Sequence, residues 1–225
     1  MIDVSIIIPT ARPADQFINK VVDRINLQSP AFPFTYEILV IGPEEIKRSN
    51  VKWFKESAVD QKGPLPAGDY LLQNHAEGDY VIIGTDDHYF DGDWWEVIDF
   101  IDSMPSRDRK MKISSFTGHT RSTGPIAHED IVKETYPLLR WPVASMDTIK
   151  NHLGGVLLDP RFHYIYADNW LSFLVGKKGE PGLEFTGAVM MGVEEDGFHM
   201  TEHLWNKYKD SDREMYLKLC REYEE

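Results

Sequence analysis

Residues 79–88 read Asp-Tyr-Val-Ile-Ile-Gly-Thr-Asp-Asp-His. The first half of this stretch, 79–83, is mostly apolar and predicts a strand that lies inside a sheet. Two adjacent carboxylates, Asp86 and Asp87, follow that strand directly. In open α/β sheets, ligands bind beyond the carboxyl ends of the strands. The stretch therefore predicts a ligand site at the end of a buried strand.

Strands and helices alternate on both sides of this stretch. Apolar runs closed by proline or glycine predict strands, and apolar residues at helical spacing predict helices. This alternation implies an α/β layered fold with a largely parallel sheet. In the first half, the predicted strands are 4–8, 36–41 and 51–54, and the predicted helices follow Asp15, cover 66–76 and follow a capping-box-like Asp93 with Glu96.

The second half of the chain is less regular. Residues 118–145 are rich in proline, histidine and threonine, which predicts loops or short helices over a site. The regular elements predicted there are strands at 112–116 and 183–193, an apolar helix that begins at Asp168, and an amphipathic helix over 211–223.

Size, charge and cysteine content limit the class of protein. A chain of 225 residues suits one domain, and its single cysteine, Cys220, excludes an internal disulfide framework. The formal net charge of −13 argues against nonspecific binding to nucleic acid or anionic lipid, because both need a cationic surface. No apolar run approaches the roughly 20 residues that span a bilayer, and the N-terminus has no signal-peptide pattern. We therefore expect a cytoplasmic protein without a transmembrane segment.

The pair Asp86 and Asp87 has two interpretations. Adjacent carboxylates repel each other unless a cation joins them, and Mg²⁺ or Mn²⁺ is commonly held by one or two carboxylates together with ligand phosphates. Such a metal neutralises a diphosphate leaving group, which is the difficult part of transferring a sugar from a nucleotide. The alternative is an ordinary acidic turn, since aspartate is common in turns.

Several segments, in order, resemble family 2 glycosyltransferases of the GT-A fold. Residues 4–10 are similar to the opening strand of the family and its Pro-Thr turn, and 36–41 to its second strand. Residues 76–87 resemble the A-x-G-D-Y turn that leads to the metal-binding DxD motif. Residues 153–162 and 166–171 resemble the segment G-G-x-x-D-x-x-F … E-D-x-x-L.

The resemblance implies one GT-A-like domain over residues 1–225. It would have a Rossmann-like, mixed but mostly parallel sheet flanked by helices, with a nucleotide-binding half at 1–105 and an acceptor-binding half at 106–225 that ends in the C-terminal helix. The implied activity is metal-dependent transfer of a sugar, with inversion, from a nucleotide-sugar donor to a glycan or other hydroxyl acceptor. The implied cofactor is Mn²⁺ or Mg²⁺.

The resemblance also assigns roles to individual residues. Asp87 matches the last carboxylate of the DxD motif and is the best candidate for a metal ligand. Asp86 matches the middle position, with contacts to metal and nucleotide, and Thr85 replaces the first aspartate. Asp168 matches the general base of inverting members, which takes the proton of the acceptor hydroxyl. The alternative for Asp168 is a helix N-cap, since an apolar helix follows it.

Other candidate ligands lie where the sequence departs from the family pattern. The usual Asp-Asp-Gly-Ser after the second strand is replaced by residues 42–45, so Glu44 is the candidate for the nucleotide base. The usual A-R-N-x-G is also missing, and Asp69 is the candidate for its polar contact. Thr10 and Arg12 follow the first strand and are candidates for the base or the phosphates, and the guanidinium of Arg12 suits a phosphate.

A histidine after the late strand completes the metal site in many family members. His199 is the candidate for that ligand, with His203 as a second choice. The alternative is that each is an ordinary surface histidine.

Two other functions stay open. A sugar-nucleotide pyrophosphorylase would need a glycine-rich loop after the first strand, whereas residues 9–13 contain no glycine. A domain that binds a nucleotide or glycan without catalysis would explain Thr85 and the missing base-contact aspartate.

Overall fold

Eight strands form one sheet in the computed structural model, which describes residues 2–11, 18–48, 50–55, 63–104, 110–118, 138–180, 182–192 and 202–224. The strands are β1 (Val4–Pro9), β2 (Tyr36–Gly42), β3 (Val51–Lys55), β4 (Tyr80–Ile83), β5 (His88–Gly92), β6 (Ile113–Gly118), β7 (Pro142–Ser145) and β8 (Glu184–Gly192). The helices are α1 (Ile18–Gln28), α2 (Pro64–Asn74), α3 (Glu96–Ser103), α4 (Met146–His152), α5 (Ala167–Lys177) and α6 (Glu202–Glu224), and a short 3₁₀ turn, Ser29–Ala31, follows α1.

The strands are arranged in the order β3-β2-β1-β4-β7-β6-β8-β5. Strands β1 to β4 are parallel, and β7 is antiparallel to both of its neighbours, β4 and β6. Because β6 is parallel to β8, the carboxyl ends of β1, β2, β4, β6 and β8 all lie at one edge of the sheet. We call this the C-terminal edge. The expected α/β fold with a mostly parallel sheet is confirmed.

Strand β1 is buried on both faces, and its side chains alternate between two apolar layers. Ile6 and Ile8 belong to the cluster that includes α1 and α3. Ile7 belongs to the cluster that includes α2, α4 and α5. A third cluster joins α5 to α6 and includes Phe173 and Tyr216. The sheet is thus covered by helices on both faces, as a strand without polar alternation requires.

Two antiparallel strands, β5 and β7, are not predicted by the sequence analysis. The short strand β5 ends in Asp-Gly, which is typical of a turn, and β7 begins with a proline, so neither has a clear local strand pattern. Both depend on neighbours that are distant in sequence: β5 pairs with β8, and β7 pairs with β4 and β6. Tertiary pairing therefore decides these strands where intrinsic preference does not.

The expected capping box at Asp93 and Glu96 is wrong. Helix α3 begins at Glu96, its N-cap is Trp95, and no side chain caps it. The carbonyl of Asp93 instead accepts a hydrogen bond from the Glu96 N–H at 3.0 Å. Trp94 is fully buried next to Phe90, which fixes the position of the turn.

The sheet is continuous across the two expected halves of the chain. Strands β1 to β5 come from residues 1–105, and β6 to β8 come from residues 106–225. The C-terminal helix α6 begins at Glu202, well before the expected 211. Among the described residues, no helix has the length and apolar character that crossing a membrane requires.

A buried carboxylate joins three strands at the edge opposite the C-terminal edge. Glu37 Oε1 accepts hydrogen bonds from Ser5 Oγ at 2.6 Å and from the Glu77 N–H at 2.9 Å. Lys52 Nζ lies 2.8 Å from Glu37 Oε2. Burial alone would raise the pKa of Glu37, but the hydrogen bonds from Lys52, Ser5 and Glu77 outweigh it and hold the pKa below its ordinary value.

We expect Glu37→Gln to lower the free energy of unfolding by about 1–3 kcal/mol at pH 7, since a charged hydrogen-bond acceptor is lost. Because the folded-state pKa is depressed, the contribution of Glu37 is present above its unfolded pKa and is lost as the pH falls through the folded value. Urea denaturation at pH 7 and at pH 3.5 should therefore show a smaller difference between variant and wild type at the lower pH. An equal difference at both pH values would contradict this account.

Candidate functional site

The two adjacent carboxylates lie in a tight turn at the C-terminal edge. Strand β4 ends at Ile83 and β5 begins at His88, with a bridge between Thr85 and His88. Asp87 Oδ1 is 2.7 Å from His88 Nδ1, and Thr85 Oγ1 is 3.3 Å from the same nitrogen. We call residues 85–88 the acidic turn. Its side chains are held by one another as well as by the sheet.

Thr10 connects the end of β1 to the acidic turn. Its hydroxyl donates to Asp86 Oδ2 at 2.6 Å, and its N–H donates to the Ile41 carbonyl at 2.9 Å. A Cβ at Gly42 would lie 2.5 Å from Thr10 Cγ2. The position where the family usually has an aspartate therefore has no room for a side chain while Thr10 contacts Asp86.

The structure describes some of the remaining candidate ligands for nucleotide and metal, and others lie outside the described residues. Glu44 is exposed just beyond the end of β2. Asp69 is on α2, half-buried, and lines a small pocket with Pro9, Leu65, Gly68, Ile83 and Leu158. Arg12 and His199 lie outside the described residues, and His203 belongs to α6.

Asp69 has an unusual electrostatic environment for an aspartate. Burial raises its pKa, a hydrogen bond from Gln73 opposes that shift, and the negative charge of Asp159 adds to it. Asp159 itself accepts hydrogen bonds from the Arg161 Nε at 2.9 and 3.1 Å. The pocket is therefore apolar on its walls and carries a carboxylate with a raised pKa on one side.

Asp168 is in the first turn of α5 and is half-buried. The helix begins at Ala167, and the N-cap is Tyr166 in a left-handed conformation with φ 66°. The alternative role of Asp168 as the N-cap is therefore wrong. Its Oδ1 accepts a hydrogen bond only one residue along, from the Asn169 N–H at 2.9 Å. Burial raises the pKa of Asp168, and the positive charge of Arg140 partly opposes that shift.

Arg140 is a candidate site residue that sequence analysis missed. It lies at the boundary of an irregular segment, and the only local signal is its position directly before a tryptophan. Its guanidinium lies 4.7 Å from the Trp141 ring centre. The ring of Trp141 is in turn 5.5 Å from the ring of His88 in the acidic turn. The segment that carries Arg140 and Trp141 therefore contacts the acidic turn, and the positive charge of Arg140 favours the ionised form of Asp168.

Ser172 holds this segment against α5. Its hydroxyl accepts a hydrogen bond from the Leu139 N–H at 2.8 Å and donates to the Asp168 carbonyl at 2.7 Å. Arg140 is the next residue after Leu139, so its distance from Asp168 depends on these two bonds.

Asp86 and Asp87 fit a metal ion whose coordination is completed by a bound ligand. Within the described ranges, no group of three or more His, Cys, Asp or Glu side chains is placed to hold a metal ion by itself. Asp86 and Asp87 each have one oxygen in contact with a neighbouring side chain. Mg²⁺ and Mn²⁺ commonly take one or two carboxylates and complete their shell with water and phosphate oxygens. The described carboxylates suit that mode of binding.

No protein-family model and no curated protein sequence matches this chain. Solved structures match at the level of fold. Mannosyl-3-phosphoglycerate synthase from Rubrobacter xylanophilus superposes with a TM-score of 0.58 at 12% identity, over 89% of this chain and 70% of the other. A mannosyltransferase from Pyrobaculum calidifontis, in complex with GDP-Man and Mn²⁺, gives a TM-score of 0.55 at 16% identity, over 88% of this chain.

A third match is glucosyl-3-phosphoglycerate synthase from Mycobacterium tuberculosis, in complex with Mn²⁺, UDP and phosphoglyceric acid. Its TM-score is 0.55 at 10% identity, over 88% of this chain and 73% of the other. The chain spans only 59% of the length of the mannosyltransferase. These similarities show that the chain has the GT-A fold, and the fold class expected from the sequence is confirmed.

We expect Arg140→Gln to raise the pKa of Asp168 further, because the change removes the positive charge that favours the ionised carboxylate. An NMR titration of the aspartate carboxyl carbons measures this shift without any assumption about activity. Arg161→Gln is the matched control, since Arg161 is paired with Asp159 and should leave Asp168 unaffected. If the pKa of Asp168 is the same in Arg140→Gln and in wild type, the electrostatic coupling is wrong.

Proposed function

We propose that this protein is a metal-dependent glycosyltransferase that moves a sugar from a nucleotide-sugar donor to an acceptor hydroxyl, with inversion. One observation carries the proposal. A pair of carboxylates, Asp86 and Asp87, directly follows a central strand of the sheet, and a half-buried carboxylate with a raised pKa, Asp168, lies in the first turn of α5. Leaving-group stabilisation and proton removal need these two kinds of group.

The donor is held at the ends of β1, β2 and β4 in this proposal. Asp86 and Asp87 bind the metal, and Thr10 keeps the carboxylate of Asp86 oriented toward it. A bound Mn²⁺ or Mg²⁺ supplies positive charge to the diphosphate, which makes it a better leaving group. Arg12 is the candidate for a direct phosphate contact and His199 for a further metal ligand. In support, two of the similar structures contain Mn²⁺ with GDP-Man or UDP.

Nucleoside recognition would fall to residues near β2 and α2. Glu44 follows β2 and remains the candidate for the base. The usual aspartate is replaced by Gly42, where a side chain would clash with Thr10. Asp69 faces a mainly apolar pocket beside the end of β1. Its raised pKa makes it a better proton acceptor, or a donor when protonated, than an exposed aspartate.

Asp168 acts on the acceptor. One carboxylate oxygen of Asp168 removes the proton of the acceptor hydroxyl. At the same time the hydroxyl oxygen bonds to the sugar carbon, and the bond between that carbon and the diphosphate breaks. Attack on the face opposite the leaving group inverts that carbon. A base is most effective when its pKa approaches the working pH, and burial moves the pKa of Asp168 in that direction. The positive charge of Arg140 partly opposes that shift and favours the ionised form, which accepts the proton.

A second candidate is a GT-A domain that binds a nucleotide or glycan without turnover. Thr85 in place of the first DxD aspartate and Gly42 in place of the base contact favour it. The two candidates differ in donor hydrolysis, because an enzyme with a bound donor transfers some sugar to water. Product formed from UDP-glucose or GDP-mannose with Mn²⁺ would exclude the binding-only domain.

We expect Asp87→Ala to abolish Mn²⁺-dependent nucleotide binding while the domain stays folded, because a metal ligand is lost. The measurement is the rise in Tm on adding UDP, GDP, CDP or dTDP, each with and without Mn²⁺, since a ligand of the native state raises Tm. Asp91→Ala removes an exposed carboxylate from the adjacent strand β5 and should behave as wild type. A wild-type response to Mn²⁺ in Asp87→Ala would show that the metal assignment is wrong.

We expect Asp168→Asn to reduce turnover roughly 10²–10⁴-fold, which is the usual contribution of a positioned base. The Tm should be unchanged or higher at neutral pH, because burial disfavours the ionised carboxylate and asparagine is neutral. Turnover is measured as donor hydrolysis at saturating donor, and donor affinity should change little. Asp147→Asn, in the first turn of α4, is the matched control. Near-normal turnover in a stable Asp168→Asn protein would refute the catalytic role.

A further inference from the structure

Helix α6 contributes a buried carboxylate that has no part in the proposed chemistry. Asp212 is 1% exposed. It accepts hydrogen bonds from three consecutive backbone N–H groups: His163 at 3.1 Å to each oxygen, Tyr164 at 2.8 Å and Ile165 at 3.0 Å. Its Oδ1 also lies 3.1 Å from His163 Nδ1. This amount of polar contact is large for one buried side chain.

The three N–H groups belong to the residues that lead directly into α5. We call residues 163–166 the anchored segment. Tyr166 closes it in the left-handed conformation that side chains rarely adopt, and the surrounding structure must hold such a residue in place. Asp168 follows two residues later, so the path of this segment determines where the carboxylate of Asp168 points.

Three side chains on one face of α6 contact the anchored segment. Tyr208, Asp212 and Tyr216 are four residues apart and therefore project from the same side of the helix. Tyr208 stacks on His163 with ring centres 4.9 Å apart, and Tyr216 stacks on Tyr166 at 5.7 Å. Asp212 supplies the central, polar contact between the two stacked pairs.

The start of α2 also lies against the anchored segment. A Cβ at Gly63, the residue before α2, would clash with the carbonyl oxygen of His163. Leu65 in the first turn of α2 joins the same apolar cluster as Tyr166 and Tyr216. The segment therefore packs against both α6 and the start of α2, and Asp212 binds its backbone N–H groups.

We propose that Asp212 is a positioning residue for sugar transfer: its carboxylate holds the anchored segment so that Asp168 faces Arg140 and the acceptor. This role rests on the proposed function of Asp168. A carboxylate suits the task because its two oxygens offer about four acceptor positions, whereas an amide offers one oxygen. Asparagine at this position would turn an N–H₂ group toward backbone N–H donors.

The test compares two buried carboxylates that both accept backbone N–H groups. Asp212→Asn is the variant, and Glu37→Gln is the matched control at the opposite edge of the sheet. We expect Asp212→Asn to lower kcat for donor hydrolysis about 10²-fold, the effect of a displacement near 1 Å in a catalytic group. The KM for the donor should stay within about twofold, because the acidic turn belongs to other elements. Glu37→Gln should lower Tm and leave kcat at the wild-type value.

The assay uses UDP-glucose and GDP-mannose with Mn²⁺ at a temperature well below every Tm. If Asp212→Asn keeps wild-type kcat, or if Glu37→Gln with a similar loss of Tm lowers kcat as far as Asp212→Asn does, the positioning role is overturned. Asp212→Ala removes all the acceptors and should lower kcat at least as far. Should that variant fail to fold, Asp212→Asn alone decides the outcome.

Amide hydrogen exchange separates this proposal from the proposed function. Faster exchange in Asp212→Asn that is confined to residues 163–169 supports the anchoring role, whether or not the wild type transfers sugar. Unchanged exchange there, or acceleration spread over the whole sheet, overturns it. A wild type without turnover for any donor would remove the proposed function, and the exchange result would still decide what Asp212 holds.

Discussion

The structure depends on the parallel pairing of β1 with β2 on one side and with β4 on the other. Ile6 is in register with both Ile38 and Ile82, so the three strands end at the same edge. Because both faces of β1 are buried, a slip of one residue would exchange its side chains between two differently shaped apolar layers. The register is fixed for that reason, and it brings Thr10 within hydrogen-bond distance of Asp86.

The second half of the chain adds strands beside β4 and completes the candidate site. Strand β7 is antiparallel to β4, and β6 and β8 run in the same direction as β4. Strand β7 runs antiparallel between β4 and β6, which brings the segment before it to the C-terminal edge. That segment carries Arg140 and Trp141, and Ser172 binds it to α5. In a chain with a net charge of −13, a cation beside a half-buried Asp168 has a local effect that the overall charge does not predict.

Rigid support for the site comes from outside the sheet. Helix α6 packs on α5 through an apolar cluster and contacts the residues that precede α5 through Asp212. Tyr166 is retained in its left-handed conformation there, where its ring stacks on Tyr216 and Asp212 binds the three backbone N–H groups before it. Groups that act on a substrate need such support, since small displacements reduce their effect.

Short-range patterns in the sequence are enough to predict the α/β class, the parallel strands and the position of Asp86 beyond one of them. Which groups surround these residues depends on the tertiary structure. Thr10 and Asp86 are separated by 76 positions, and Asp212 and His163 by 49. Arg140 and Asp168, which interact electrostatically, are also distant in sequence. Strand register and helix packing bring such pairs together, and no local pattern in the chain specifies which distant side chains will meet.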